Sequence, residues 1–167
     1  MTSARVLHSN PWFSVIATQV GTQSWYRVHR ADSAMVVGTT PGGGLLMLRG
    51  RRDTTGEHPL LEFPCGGIEA DESSEDAAAR ETLEESGYRT KHLRLIGSCV
   101  ESPGISPAVC YFFQADVELE RSAALEAGEE WIPEIISPGS LRDRIHNGEI
   151  RDGGSLAAAA LLLSQNG

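Results

Sequence analysis

The chain has 167 residues, a formal net charge of −9 and 40% hydrophobic residues, enough to bury a core within one domain spanning 1–167. The acidic balance and the lack of any basic run argue against an extended phosphate-backbone surface, so nucleic acid is not an expected partner. No charged-then-apolar leader opens the chain, and the Leu156–Leu163 run is too short to span a bilayer, so no membrane association is expected.

In chain order, Phe13–Gln19 and Trp25–Arg30 read as a hairpin around Gly21-Thr22-Gln23. Met35–Val37 and Leu45–Leu48 are apolar runs split by a turn at Pro41-Gly42. Leu60–Phe63 is a strand leading into the glycine turn Gly66-Gly67, and Ser74–Ser86 is a helix. Ser73 with Asp76 forms an N-capping pair, and Gly87 suits the left-handed position that stops a helix. Leu93–Val100 and Cys110–Val117 are further strands, separated by Pro103, Gly104 and Pro107. Ile132–Ile136 is a last strand, and Pro133 places it at a sheet edge. Leu141–His146 and Ser155–Leu163 close the chain as helices. Periodicity alone gives an α/β or α+β fold.

The informative stretch runs from Gly66 to Tyr88. Glu81, Glu84 and Glu85 fall within a sector of about 100° on one helix face. Like charges at this spacing repel by roughly 0.2–0.5 kcal/mol per pair. A cation reverses the sign, and an oxygen-only donor set selects a hard one, Mg²⁺ or Mn²⁺. Arg80 lies one turn before Glu84, where a guanidinium can orient a carboxylate. Cys65, Cys99 and Cys110 are odd in number and lack C-x-x-C spacing, so they read as reduced thiols of a cytoplasmic protein. The histidines have no ligand spacing, Ser102 and Ser106 have no nucleophile-elbow context, and no P-loop is present.

Gly66, five residues, Glu72, seven residues, then Arg80-Glu81-Thr82-Leu83-Glu84-Glu85-Ser86-Gly87-Tyr88 resembles the Nudix box, G-x5-E-x7-R-E-U-x-E-E-x-G-U with U apolar. The one departure is Thr82, at a helix-packing position. The resemblance implies a Nudix-type α/β/α sandwich with a mixed sheet, and a pyrophosphatase working with Mg²⁺ (or Mn²⁺). It implies metal ligands at Glu81, Glu84, Glu85 and the Cys65 carbonyl, with Arg80 as the orienting residue and Glu85 central to catalysis.

The flanks narrow the substrate. Arg51-Arg52, then Glu62-Phe63-Pro64-Cys65-Gly66, and Ser102-Pro103-Gly104 resemble ADP-ribose pyrophosphatase-like Nudix enzymes. That likeness implies substrate contacts at Arg52, Glu62, Arg51 and Pro103, with Arg27 and Arg49 as further basic candidates. Alignment back from Gly148 places Glu129 at the loop glutamate that acts as base in such enzymes, with Glu126 and Glu130 as rivals. Trp12, Trp25, Tyr26 and Trp131 are candidates for stacking on a base. The expected reaction is hydrolysis of a nucleoside diphosphate derivative, ADP-ribose first, by a homodimer. Relatives often carry a glutamate shortly after the proline mark, where this chain has Pro107-Ala108. Nucleoside triphosphates, nucleotide sugars and a non-catalytic nucleotide sensor are the alternatives.

Overall fold

The computed structural model describes residues 4–56, 58–125, 128 and 130–165. The first three strands, β1 (Ala4–Ser9), β2 (Phe13–Val20) and β3 (Gln23–Arg30), form an antiparallel meander. Gly21 has a φ of 60° and, with Thr22, turns β2 into β3, a conformation that glycine adopts without steric penalty. The expected hairpin is therefore present. The strand before it, β1, has no signal in the sequence because all six of its residues are exposed and show no apolar alternation.

A second, larger sheet holds the core. Its members are β4 (Ser33–Thr39), β5 (Leu45–Gly50), β6 (Leu60–Glu62), β7 (Cys65–Gly67), β8 (Tyr88–Ser102), β9 (Ser106–Leu119) and β10 (Ile132–Ile136). The backbone order is β10-β5-β4-β9-β8, with β6 beside β5 and β7 beside β4. β4 and β9 run parallel while the other pairs are antiparallel, so the sheet is mixed. β10 lies at the edge, where Pro133 is tolerated. β7 is a Cys-Gly-Gly segment with no strand propensity of its own, and pairing with β4 imposes its conformation.

Helices cover both faces of this sheet. β4 is buried from Ser33 to Gly38 and alternates its contacts. Ala34 and Val36 pack with Ala77 and Ala78 of α1 (Ser74–Ser86). Met35 and Val37 pack with Ala158, Ala159 and Leu162 of α3 (Gly153–Ser164). β9 divides in the same way, Phe113 and Ala115 toward α1, Cys110 and Phe112 toward α3. A sheet buried on both faces reads as an unbroken apolar run, as Met35–Val37 does. A short helix, α2 (Leu141–His146), anchors through buried Leu141.

β8 and β9 extend well beyond the predicted Leu93–Val100 and Cys110–Val117. Register shifts between Lys91 and Arg94, Leu95 and Gly97, and Val100 and Ser102 break the period-two pattern by which a strand is read. The turn between them is Pro103-Gly104-Ile105, and Pro107 lies inside β9. The meander meets this hairpin through Val28 N–H, which donates to the Ile105 carbonyl at 2.8 Å. Among the described residues, no helix is long and apolar enough to cross a membrane.

Candidate active site

α1 begins and ends where its caps dictate. The Ser73 hydroxyl accepts from Asp76 N–H at 3.1 Å, and Gly87, with a φ of 78°, donates from its N–H to the Leu83 carbonyl at 2.9 Å. Thr82, the residue that departs from the apolar pattern, is buried and donates its hydroxyl to the Ala78 carbonyl at 2.7 Å. The substitution therefore leaves no buried polar group unpaired.

Arg80 is the hub of the helix face. Its Nε and Nη2 donate to the two oxygens of Glu72 at 2.8 and 3.0 Å, and Nη2 also donates to the Gly67 carbonyl at 3.0 Å. Nη1 donates to Glu81 at 2.8 Å and to Glu84 at 3.1 Å. One guanidinium thus ties the glycine turn to three carboxylates. The Glu72 hydrogen bond is the main reason the Arg80 pKa is raised, and the Arg80 hydrogen bond is the main reason Glu72 is held below the usual carboxylate range.

Glu81 and Glu85 line a cleft of about 440 Å³ between the glycine turn, β6 and the start of α3. The Glu81 carboxylate lies against Gly66, where an added Cβ would come within 1.9 Å of Glu81 Cδ. Glu85 is 4% exposed, and its Oε2 accepts from Cys65 N–H at 2.9 Å. Cys65 also lines the cleft. Its thiol pKa is raised by a hydrogen bond with Cys110 and by burial, while that same bond shifts Cys110 down. Glu84 does not line the cleft and is turned to Arg80.

At one end of the cleft stands Arg52, paired with Glu62, which is 4% exposed. Arg52 Nε donates to both Glu62 oxygens at 3.1 Å, and Nη2 donates to Oε2 at 2.7 Å. Burial pulls the Arg52 pKa down, but the hydrogen bonds and charge of Glu62 outweigh it and the net shift is upward. At the other end, Arg30 pairs with Glu101, which also accepts from the Ser33 hydroxyl at 2.9 Å. Asp152 caps α3 through Oδ2, which accepts from Ser155 N–H at 2.7 Å. Its Oδ1 is buried without a hydrogen-bond partner among the described residues. Arg30, Glu101 and Asp152 were not candidates from the sequence. They come from three distant segments: the pairing of β8 with β9 and of β9 with β4 brings Glu101 near the end of β3, and Asp152 arrives at the N-terminus of α3, which packs on β4.

Other expected contacts lie elsewhere. Arg51 is exposed and does not line the cleft. Pro103 lines a separate, mainly apolar recess with Trp25, Tyr26, Arg27, Val100 and Ile105. Arg49 is consumed by an ion-pair ring in which Arg49 and Arg144 each bind Glu134 and Glu149. Trp12 is exposed at the turn after β1, whereas Trp131 is buried beneath Arg52. Glu126 and Glu129 lie outside the described residues, and Glu130 is exposed.

The donors that can take a hard cation are the Glu81 and Glu85 carboxylates with the backbone at Cys65. Among the described residues, no group of three or more His, Cys, Asp or Glu is gathered to hold a metal. That is compatible with Mg²⁺, which is commonly held by one or two carboxylates while substrate oxygens and water supply the rest.

A family model, the NUDIX domain, matches residues 29–160. The chain belongs to the Nudix family. An ADP-ribose pyrophosphatase of Bacillus subtilis (strain 168) is 32% identical over 109 residues, which are 65% of this chain and 58% of that protein. The NAD-capped RNA hydrolase NudC of Pseudomonas syringae pv. syringae (strain B728a) is 34% identical over 100 residues, 60% of this chain and 31% of that protein. The matches therefore span less than two thirds of either relative's length. A solved ADP compounds hydrolase superposes with a TM-score of 0.83 at 18% identity, covering 99% of this chain and 92% of the other. It shares this chain's fold.

Proposed function

We propose that this Nudix chain hydrolyses the diphosphate linkage of a nucleoside diphosphate derivative, ADP-ribose by preference, with water, to AMP and ribose 5-phosphate. The observation that carries the reading is one cleft that sets the Glu81 and Glu85 carboxylates beside the Arg52–Glu62 pair. The P-C-G turn and the ADP-ribose pyrophosphatase relative support the substrate.

Mg²⁺ or Mn²⁺ would be held by Glu81, Glu85 and the Cys65 backbone, and when bound would neutralise phosphate charge and acidify a bound water. The chain's own residues prepare that site. Gly66 leaves room for the Glu81 carboxylate, Arg80 fixes it from behind, and Cys65 N–H fixes Glu85. Arg52, already oriented by Glu62, presents its remaining N–H groups to phosphate oxygens. A carboxylate outside the metal ligands takes the proton of the attacking water, for which Glu129 is our assignment, contributing about 10²–10⁴-fold. The exposed apolar side chains of the meander, among them Val6, Trp25 and Tyr26, support a homodimer formed through that sheet. The free thiols Cys65, Cys99 and Cys110 support a reducing, cytoplasmic setting.

The NAD-capped RNA hydrolase relative favours one second reading, a dinucleotide or NAD-linked diphosphate cleaved to mononucleotides. The deciding experiment is phosphatase-coupled phosphate release from ADP-ribose, NADH, nucleotide sugars, nucleoside triphosphates and NAD-capped RNA, with and without Mg²⁺. Metal-dependent cleavage of ADP-ribose above the rest is the expected result. Preferred cleavage of another member keeps the chemistry and replaces the substrate. No turnover, with thermal stabilisation by a nucleotide, would make the chain a sensor.

A further inference from the structure

We propose that Trp131 is the positioning residue for the substrate arginine Arg52, seated in a space that Gly50 leaves open. This rests on the reading above, in which Arg52 contacts the diphosphate. The indole lies against strand β5. A Cβ added to Gly50 would come within 2.2 Å of the Trp131 Cε3 atom and 2.6 Å of the Glu130 carbonyl oxygen. Any larger residue at position 50 would push the ring away, so glycine here is a condition for the seat. Trp131 is 5% exposed, unlike Trp12 and Trp25, which are 77% and 64% exposed. The next residue, Ile132, begins β10 and pairs with Arg49, the neighbour of Gly50, so sheet pairing fixes the ring's position.

The outward face of that ring carries Arg52. Its guanidinium carbon stands 4.9 Å from the ring centroid, within cation–π range. Glu62 holds a second side of the same group through Nε and Nη2. Those two supports leave Nη1, which donates to no described residue, as the end available to an anionic ligand. An arginine side chain half exposed at 44% would otherwise sample many rotamers. The indole and the carboxylate together limit it to the one that lines the cleft, which lowers the entropy lost on binding.

The test is a double-mutant cycle with Mg²⁺ present, reading KM and kcat for ADP-ribose and the Kd of ADP by calorimetry. Each variant's melting temperature serves as the check of folding. Trp131→Leu raises KM and Kd about tenfold while kcat changes by less than about threefold, the range of a lost cation–π support. Trp131→Phe keeps an aromatic face and stays within about threefold of the parent. Arg52→Gln weakens binding at least as much as Trp131→Leu, and the double variant is no weaker than Arg52→Gln alone, because the indole acts through Arg52. Losses that multiply in the double variant would overturn the inference. So would a Trp131→Phe as impaired as Trp131→Leu, or a Trp131→Leu that melts lower with unchanged KM and Kd. A parent that binds ADP without cleaving ADP-ribose refutes the proposed substrate, and the Kd cycle still decides the role of Trp131. A parent that does neither refutes both.

Discussion

A Cβ on Gly66 would lie 1.9 Å from Cδ of Glu81, so the cleft's carboxylate occupies the space an alanine would need. The clash is with the far end of a flexible side chain, which can swing away without disturbing the backbone. Gly66→Ala is therefore expected to fold normally and lose about 10²-fold in kcat/KM, the scale of an ångström-level misplacement at a reacting centre. Circular-dichroism melting beside metal-dependent turnover checks it. A full-rate, normally folded variant would remove Glu81 from the site. Glu85→Gln keeps an oxygen for Cys65 N–H and leaves packing intact, but lacks the charge that draws a cation. It should retain the parent's melting temperature and lose at least about 10²-fold in kcat, the loss of a few kcal/mol of transition-state stabilisation. Near-parent rates at saturating Mg²⁺ would argue against Glu85 as a ligand. Glu81 and Glu85 were legible because the helix repeat fixes their relation, whereas Glu84, on the same predicted face, is turned to Arg80 and away from the cleft. Arg30, Glu101 and Asp152 were not legible, since nothing local to β3, β8 or the start of α3 announces that strand pairing and the packing of α3 on β4 make them one wall.

At the scale of elements, legibility followed capping chemistry. Ser73 and Gly87 bound α1 at Ser74–Ser86, as the sequence predicts, because each terminus has its own side-chain or left-handed signal. β1 and β7 carry no such signal, and β8 hides its length behind its register shifts. What holds the elements together beyond the core includes the ring of Arg49, Glu134, Arg144 and Glu149, which joins β5, β10, α2 and the segment before α3. Arg49 and Arg144 hydrogen bonds hold Glu149 below the usual carboxylate range. A depressed carboxylate stabilises the fold above its unfolded pKa, and that contribution disappears as pH falls through the lower folded value. Glu149→Gln should thus melt roughly 2–4 °C below the parent at pH 7, equivalent to about 1 kcal/mol after solvent screening. The gap should begin to narrow as pH falls below the ordinary glutamate value of about 4.3 and close only once pH is below the depressed folded value, where the folded parent is protonated too. Melting curves from pH 7 to 3 decide, and a gap that stays constant would assign the loss to packing rather than charge.

For the whole molecule, the contrast between the two sheets carries a consequence. The mixed sheet buries both faces of β4, although its outer strands expose Leu95, Val100, Ile132 and Ile135. The β1–β3 meander, by contrast, exposes Val6, Leu7, Val20, Trp25 and Tyr26 and meets the body near Ile105 and through the Arg30–Glu101 pair. The hairpin turn made β2 and β3 legible, yet nothing in the sequence could show that their outer residues lack a cover among the described residues. A three-stranded sheet with large aromatics in water gains by burying them, at about 25 cal/mol per Å² of apolar area. In the proposed homodimer a second copy would supply the same surface under two-fold symmetry, so each exposed side chain would be used twice. The proposed homodimer is therefore expected in light scattering at micromolar concentration, with Trp25→Asp shifting it to monomer. Two buried carboxylates per dimer would each need several kcal/mol of desolvation, more than a modest interface can absorb. Because Trp25 lies outside the metal-side cleft, the monomeric variant also separates assembly from chemistry. Retained turnover would make the dimer a matter of stability, and a rise in KM without loss of kcat would mean that the meander of one copy completes substrate binding in the other. A parent that is already monomeric would leave the exposed meander without a second copy and reject the proposed assembly.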